Sequence, residues 1–523
     1  MKFASHLAGV TIALFLSIGL VQPALAQQSQ IEASAATLTG SDKQIAAFYA
    51  SVGYSQLWTG RKNTARARAL LAALKSADDH GLPKARYQIN AVSKALKSRR
   101  KADFGKNEIF VSQIFTRYAQ DVNSGLLRPS SIDKEIALRP KKISATALLS
   151  GISKGNPKAF LANLAPKSAD YQNLIKESQR LSKLSGKPSA DVPIATIKPN
   201  MTHPNVALMR AKLRDLGYGN LGGSNTYDAK LQKVVKEFQS TRGLGADGVV
   251  GPATLRAMNL KPADQKRMVA VNMERQRWIN FPRAKRYIYV NIPDYSVAII
   301  DNGKKSFTSR TVVGKNTDDT RTPEFIDSMT HMVINPTWHV PASIAGKEYL
   351  PIIRKDPGFL RKKNMTMLDR AGNSVNPATI DMASYSENNF PYHIKQRPDP
   401  GNALGLVKFM FPNKYNIYLH DTPSKSLFNR ETRAYSHGCV RVHKPFEFAY
   451  ALLKKQSSNP KNMFQTHLKT GKESYVNLKQ SVPVIITYQT VVFDDKGRAS
   501  YRGDIYGRDA KIAAALRRAG VAI

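Results

Sequence analysis

The sequence has a single cysteine, Cys439, in 523 residues, so no internal disulfide can staple the fold. Long apolar runs are missing as well. The one candidate, Leu7 to Val21, falls short of the ~18 residues of a membrane span, and no later stretch reads as transmembrane. It stands after Lys2 and before the small-residue pattern Ala24-Leu25-Ala26, the layout of a cleaved secretory signal peptide over residues 1–26. No cysteine stands at the cleavage point, which excludes a lipoprotein anchor. Acidic residues are scarce: 38 Asp and Glu face 79 Lys and Arg, a formal net charge of +41. Such an excess draws in polyanions. An exported chain meets little nucleic acid, so cell-wall polymers and anionic lipid headgroups are the expected partners, in a soluble protein with no membrane span once the signal is removed.

Helical periodicity dominates residues 41–185, where no cluster carries chemistry, and His80 before the helix-ending Gly81 reads as structural. Residues 27–40 read as a polar leader, and Lys183 to Pro204 as a proline-bearing linker. Residues 203–260 form a compact unit. Val206, Met209, Leu213 and Leu216 fall on one helical stripe, Leu231, Val234, Val235 and Phe238 on a second, and Gly251-Pro252 opens a third helix. From Arg286 the period changes to two, with two short strands in YIYVNIPDYSVAIID around a Pro293-Asp294 turn, another in KSFTSRTVVGK, and one in MTHMVINPTWHVP that ends at a proline. Residues 341–410 are rich in Pro and Gly and too long for an ordinary loop, which predicts a lid or binding insertion. Alternation returns in NKYNIYLHDTP, and residues 480–523 read as a terminal hairpin and helix. The fold class is multidomain α+β: a helical scaffold, a three-helix module and a β-rich domain over 285–465.

The lone cysteine lies in YSHGCVRV, between His437 and Arg441. A buried small hydrophobe is the plain reading; proton-accepting and cationic neighbours instead favour a reactive thiolate. On the strand NIYLH, Tyr418 and His420 share one face while Ile417 and Leu419 turn to the other. Cys439 follows His420 by 19 positions, enough for the next strand to return alongside with Cys439 and Arg441 on its open face and Val440 and Val442 buried. An imidazole beside a thiol is the minimum for a cysteine nucleophile with a histidine base, and N–H groups at Gly438 and Cys439 could hold an oxyanion. The reaction this builds is acyl transfer through a thioester. A zinc set from His437, Cys439, His443 and His420 is the rival. On an extended strand, however, His443 lies roughly 13 Å from Cys439 at ~3.3 Å per residue, and the spacing matches no common zinc motif. His339, beside Trp338, is the remaining histidine best placed to line a cleft.

His420 followed by Ser436-His437-Gly438-Cys439-Val440-Arg441 resembles the catalytic signature of the L,D-transpeptidases of the YkuD type. NPTWHVP, NALGLVKFMFPN, YLHDTPSKSLFNR and DIYGRD, with FYASVGYSQLW near the start, resemble the large periplasmic, YcbB-like branch. Helix, turn, KLQKVVKEFQ and DGVVGPATL in 203–260 resemble a peptidoglycan-binding domain. The resemblance implies a wall-associated periplasmic enzyme acting in cell-wall biogenesis and cell shape, with no metal and no other cofactor. Cys439 would be the nucleophile and His420 the base. Tyr418, Ser436, His437, Gly438 and Arg441 would shape the site, Trp338 and His339 would line it, and residues 341–410 would cap the substrate. The enzyme would join stem peptides by 3→3 crosslinks and be a carbapenem target. An L,D-carboxypeptidase, attachment of an envelope protein by the same thioester, and a non-enzymatic wall anchor are the alternatives.

Overall fold

The computed structural model describes residues 18–183, 189–281 and 283–523; residues 1–17 of the expected signal peptide lie outside the described residues. The periodicity of the first third becomes a bundle around Phe104–Ser124, a helix buried along most of its length. The stretch expected as a polar leader is instead largely helical, within Ile18–Ala36. This helix meets Phe104–Ser124 so closely that a Cβ on Gly105 would stand 2.1 Å from the Gln30 carbonyl oxygen. Ile31 and Ala35 thereby reach the core that also holds Trp58, Phe115 and Leu149. Two apolar residues one turn apart are enough to anchor a polar helix when the partner backbone comes this near. Among the described residues, no helix is long and apolar enough to cross a membrane.

The module's stripes pack as their spacing requires, on helices Asn205–Asp215, Ala229–Thr241 and Pro252–Met258. Val206, Met209, Leu213, Leu231, Val235 and Phe238 are fully buried, with Leu216 and Val234 partly so. Arg210 turns inward and donates to the Ser224 carbonyl at 3.0 Å and the Thr226 carbonyl at 2.7 Å, pinning the glycine-rich turn. The expected linker is only partly one. Residues 184–188 lie outside the described residues, whereas Val192 and Ile197 belong to the module's core and Ile197 bridges Val250.

Residues 261–284 fall between the expected domains, yet helix Pro262–Trp278 joins them. The charged side chains of its C-terminal half, Glu274, Arg275 and Arg277, are buried. Arg275 donates to both Glu324 oxygens at 2.9 Å and to Asp509 at 2.9 Å. Arg277 holds Glu274 at 2.6 Å and the His80 carbonyl at 2.7 Å. One helix thus bonds the scaffold through His80 and the β-rich domain through Glu324.

The β-rich domain runs β1 (Arg286–Asn291), β2 (Ser296–Asp301), β3 (Lys304–Gly314) and β4 (Phe325–Ile334). Then come the small strands β5 (Trp338–His339), β6 (Met365–Leu368), β7 (Ser374–Val375) and β8 (His393–Gln396). Five more follow: β9 (Val407–Met410), β10 (Leu419–His420), β11 (Ala434–Ser436), β12 (Val440–Val442) and β13 (Ser474–Thr487). The order β3-β12-β10-β9-β4-β13-β1-β2 closes into a ring because β2 pairs back onto β3, with β11 added along β3. Ile288, Val290, Val297, Ile299, Leu419 and Val440 fill the interior, so the alternate side chains of each strand point outward.

Two expected boundaries move. Residues 480–487 are not part of a terminal hairpin: β13 is central, parallel to β1 and antiparallel to β4, because Val484 to Thr487 are buried on both faces. The terminal hairpin is β14 (Val491–Phe493) with β15 (Ala499–Tyr501). The insertion of 341–410 begins earlier and ends sooner. Trp338 already belongs to its own sheet, β5-β8-β6-β7, while Val407–Met410 is a ring strand. The insertion is also not irregular: Ile344, Leu350, Ile353, Met367 and Ile394 give it a core. Its strands of two to four residues are too short to display a period.

Candidate active site

Parallel pairing sets His420 beside Arg441 and Leu419 beside Val440, and the Val440 N–H donates to the Tyr418 carbonyl at 3.1 Å. Leu419, Val440 and Val442 point into the ring. Tyr418, His420, Cys439 and Arg441 therefore share its outer face, as alternation predicts. The turn before Cys439 is held by its own side chains. Ser436 Oγ donates to the Cys439 carbonyl at 2.5 Å and accepts from the Gly438 N–H at 3.2 Å. Gly438 has φ +110°, which favours glycine, and its carbonyl accepts from Thr322 Oγ1 at 2.7 Å. The Gly438 N–H is thus engaged by Ser436, which corrects the expectation that it serves an oxyanion.

The imidazole of His420 is buried, with Nδ1 2.5 Å from the Asp421 carbonyl oxygen. A carbonyl only accepts, so Nδ1 carries the hydrogen and Nε2 is left with its lone pair. Burial, then the Arg441 charge, pushes His420 down to about 3, against the pull of the Asp421 and Leu404 carbonyls. The Asp421 carboxylate accepts from the Leu406 N–H at 3.0 Å and from Lys425, which fixes the carbonyl that orients the ring.

The Cys439 thiol donates to the Asn416 carbonyl at 3.6 Å. Burial pushes it up to about 11, although Tyr418 and the Arg441 guanidinium both draw it down. Desolvation thus works against the reactive thiolate that the neighbouring His437 and Arg441 lead one to expect. Nor does His437 help, since its Nε2 lies 2.5 Å from Glu348 Oε1 of the insertion. Arg441 itself is held below the usual guanidinium range by burial, and its Nε has no partner among the described residues.

The insertion sits over this face. Tyr418 packs on both the ring core and the insertion core. Trp338 is buried and meets Tyr349 edge-on at 6.2 Å. His339 points the other way and is exposed, with burial and Lys395 lowering its pKa. A π-turn over Ala345–Tyr349 brings Lys347 to Asp319 at 2.8 Å and Glu348 to His437. His443, by contrast, packs on Phe428 at 4.9 Å. Asp421, Thr322 and Glu348 went unread in the sequence. Only Asp421 had a signal, its place directly after His420. Tyr506 and Arg508 of DIYGRD prove to be braces: Tyr506 donates to the Gly314 carbonyl at 2.6 Å and Arg508 to the Thr322 carbonyl at 3.0 Å.

Comparison with known proteins agrees with this layout. Residues 285–480 match the YkuD L,D-transpeptidase catalytic domain, 43–177 a scaffold domain and 202–258 a peptidoglycan-binding domain. A Haemophilus influenzae protein named as an L,D-transpeptidase is 37% identical over 252 residues, 48% of this chain. The match spans 50% of that relative's length. Crystal structures of L,D-transpeptidases from Xylanimonas cellulosilytica and Stackebrandtia nassauensis are each 13% identical and cover 58% of this chain. They are themselves covered over 100% and 97%, at TM-scores of 0.17 and 0.23, too low to bear on the fold. The chain therefore carries a YkuD L,D-transpeptidase catalytic domain together with a scaffold domain and a peptidoglycan-binding domain.

Proposed function

We propose that this protein is a periplasmic L,D-transpeptidase that joins peptidoglycan stem peptides by 3→3 crosslinks through a thioester on Cys439. The observation that carries the reading is the sharing of one capped face by Cys439, Tyr418, His420 and Arg441. A donor stem bound under the insertion presents the carbonyl between its third and fourth residues to the thiol. As Sγ attacks, Nε2 of His420 takes the thiol proton, and the Cys439 N–H and Tyr418 hydroxyl face the developing oxyanion. Collapse forms the thioester and breaks the peptide bond, with the proton passing from His420 to the leaving amine. A side-chain amine of a neighbouring stem then attacks the thioester, loses its proton to His420, and frees the thiol. The signal-peptide layout of residues 1–26 supports export, and the 202–258 domain supports docking on the wall.

The test is incubation of the purified protein with a disaccharide tetrapeptide and mass analysis of the products. A crosslinked dimer lacking one terminal residue is expected from the wild type and not from Cys439→Ala. A tripeptide alone would make water the acceptor and the protein a carboxypeptidase. Intact-mass analysis with a carbapenem is expected to give one adduct on the wild type and none on Cys439→Ala.

A further inference from the structure

A second cavity, of about 1820 Å³, lies on a different wall of the ring. In the strand order, β1 stands four places from β10, so the two lie on opposite sides of the closed ring. Ile288, Val290, Val297 and Ile299 point inward from β1 and β2, and Tyr289, Ser296, Ala298 and Ile300 line the cavity from their outer faces. The scaffold covers it with Lys141, Lys167 and Asp170, and the β14–β15 hairpin closes one side. None of the residues around Cys439 borders it.

Its chemistry is that of a site. Lys141, Lys167, Lys285, Lys304, Lys305 and Lys496 line it, and none of them is ion-paired among the described residues. Of the acids on its wall, Asp294 is held by Arg502 and Asp494 by Arg498. Asp170 faces Arg283 and Lys305, and Asp495 has no ion-pair partner among the described residues. Gln489, only 3% exposed, borders the cavity, and its Oε1 has no hydrogen-bond partner among the described residues. The Tyr289 hydroxyl, near Thr487, likewise has no partner in bonding geometry. Six ammonium groups, with two unpartnered polar atoms set in the wall, fit a ligand with both carboxylates and amides. The wall-binding module points to its source. Arg242 donates to the Ala499 carbonyl at 3.1 Å, and Arg498 reaches Glu237 at 2.7 Å. The module thus packs directly against the hairpin that borders the cavity.

We propose that this cleft binds a second, unreacted peptidoglycan stem peptide through its carboxylates and amides. The inference rests on the reading above that wall peptides are the substrate. It is tested on the full chain carrying Cys439→Ala, which prevents turnover, with a diazirine-labelled tetrapeptide stem and mass mapping of the crosslinks. Crosslinks are expected in peptides covering 283–305 and 489–497 as well as under the insertion. Lys304 and Lys305 are both exposed, so the double variant K304E/K305E should fold. It should cut the cavity crosslinks about tenfold, through two reversed surface charges, and spare those near residue 439. A tetrapeptide with amidated carboxylates should lose the same crosslinks. The proposal is overturned if no crosslink maps to the cavity wall, if the double variant leaves the yield unchanged, or if oligoglutamate competes as well as the stem. Failure of the wild type to crosslink muropeptides while the cavity is still labelled would count against the transpeptidase reading alone.

Discussion

The upward shift of the Cys439 thiol makes a prediction about how it reacts. Cys439 sits near 11 where a free cysteine sits near 9.0. At pH 7.5 two units lower the thiolate fraction about 100-fold. The rarer thiolate is also the stronger nucleophile, and a Brønsted slope of about 0.4–0.5 returns a factor of roughly 6–10 over two units. Iodoacetamide should therefore alkylate Cys439 about tenfold more slowly than a small reference thiol at pH 7.5. Obstruction by the insertion would lower the rate further without moving its pH dependence, so the profile is the decisive quantity. The reference should level off above pH 9, whereas the Cys439 rate should keep rising about tenfold per unit towards pH 11. The measurement is timed alkylation of the full chain from pH 6 to 10.5, followed by intact mass, with Cys439→Ala as the blank. An inflection below pH 8, or alkylation faster than the reference, would mean that a thiolate–imidazolium pair already exists at rest, and the reasoning would be wrong. If the prediction holds, the thiolate forms only as His420 accepts the proton during attack.

Two stability predictions follow from buried charges. His420 and His80 are held near 3 and 4, below the ordinary 6.5, so their contribution to stability is present above pH 6.5 and is lost as pH falls, because only the unfolded chain takes up the protons. Each should remove up to about 2 kcal/mol by pH 5, seen as a Tm lowered between pH 7.5 and pH 5, with the loss reduced in His420→Gln. Arg275→Met leaves Glu324 and Asp509 without their shared partner and should cost about 3–5 kcal/mol in urea unfolding.

The site was more legible than the fold around it. Strand alternation alone put Tyr418, His420, Cys439 and Arg441 on one face, because a period of two depends only on local backbone. Charge states did not follow from adjacency in the chain. His437 is two residues from Cys439, yet it serves Glu348, 89 positions away, and the thiol's ionisation is governed by packing that the sequence does not display. Helix Pro262–Trp278 was illegible for a related reason. QKRMVAVNMERQRW looks like a solvated, charged face, but Glu274, Arg275 and Arg277 are almost wholly buried and find partners far off in the chain. Long-range ion pairs leave no periodic trace.

Access to Cys439 depends on how firmly the insertion is held. The insertion is tied to the ring domain by Lys347–Asp319 and by Glu348 with His437 and Lys315, all side chains with substantial exposure. Exposed pairs contribute at most about 1 kcal/mol each, so this clasp is weak beside the buried Arg275–Glu324–Asp509 cluster. Tyr418 adds an apolar contact, but it belongs to both cores at once and can keep one while leaving the other. The strong polar bonds therefore lie where helix Pro262–Trp278 meets the ring domain, and the weak ones where the insertion covers the thiol. If wall strands are the substrate, as proposed, the insertion is the boundary that yields at least cost.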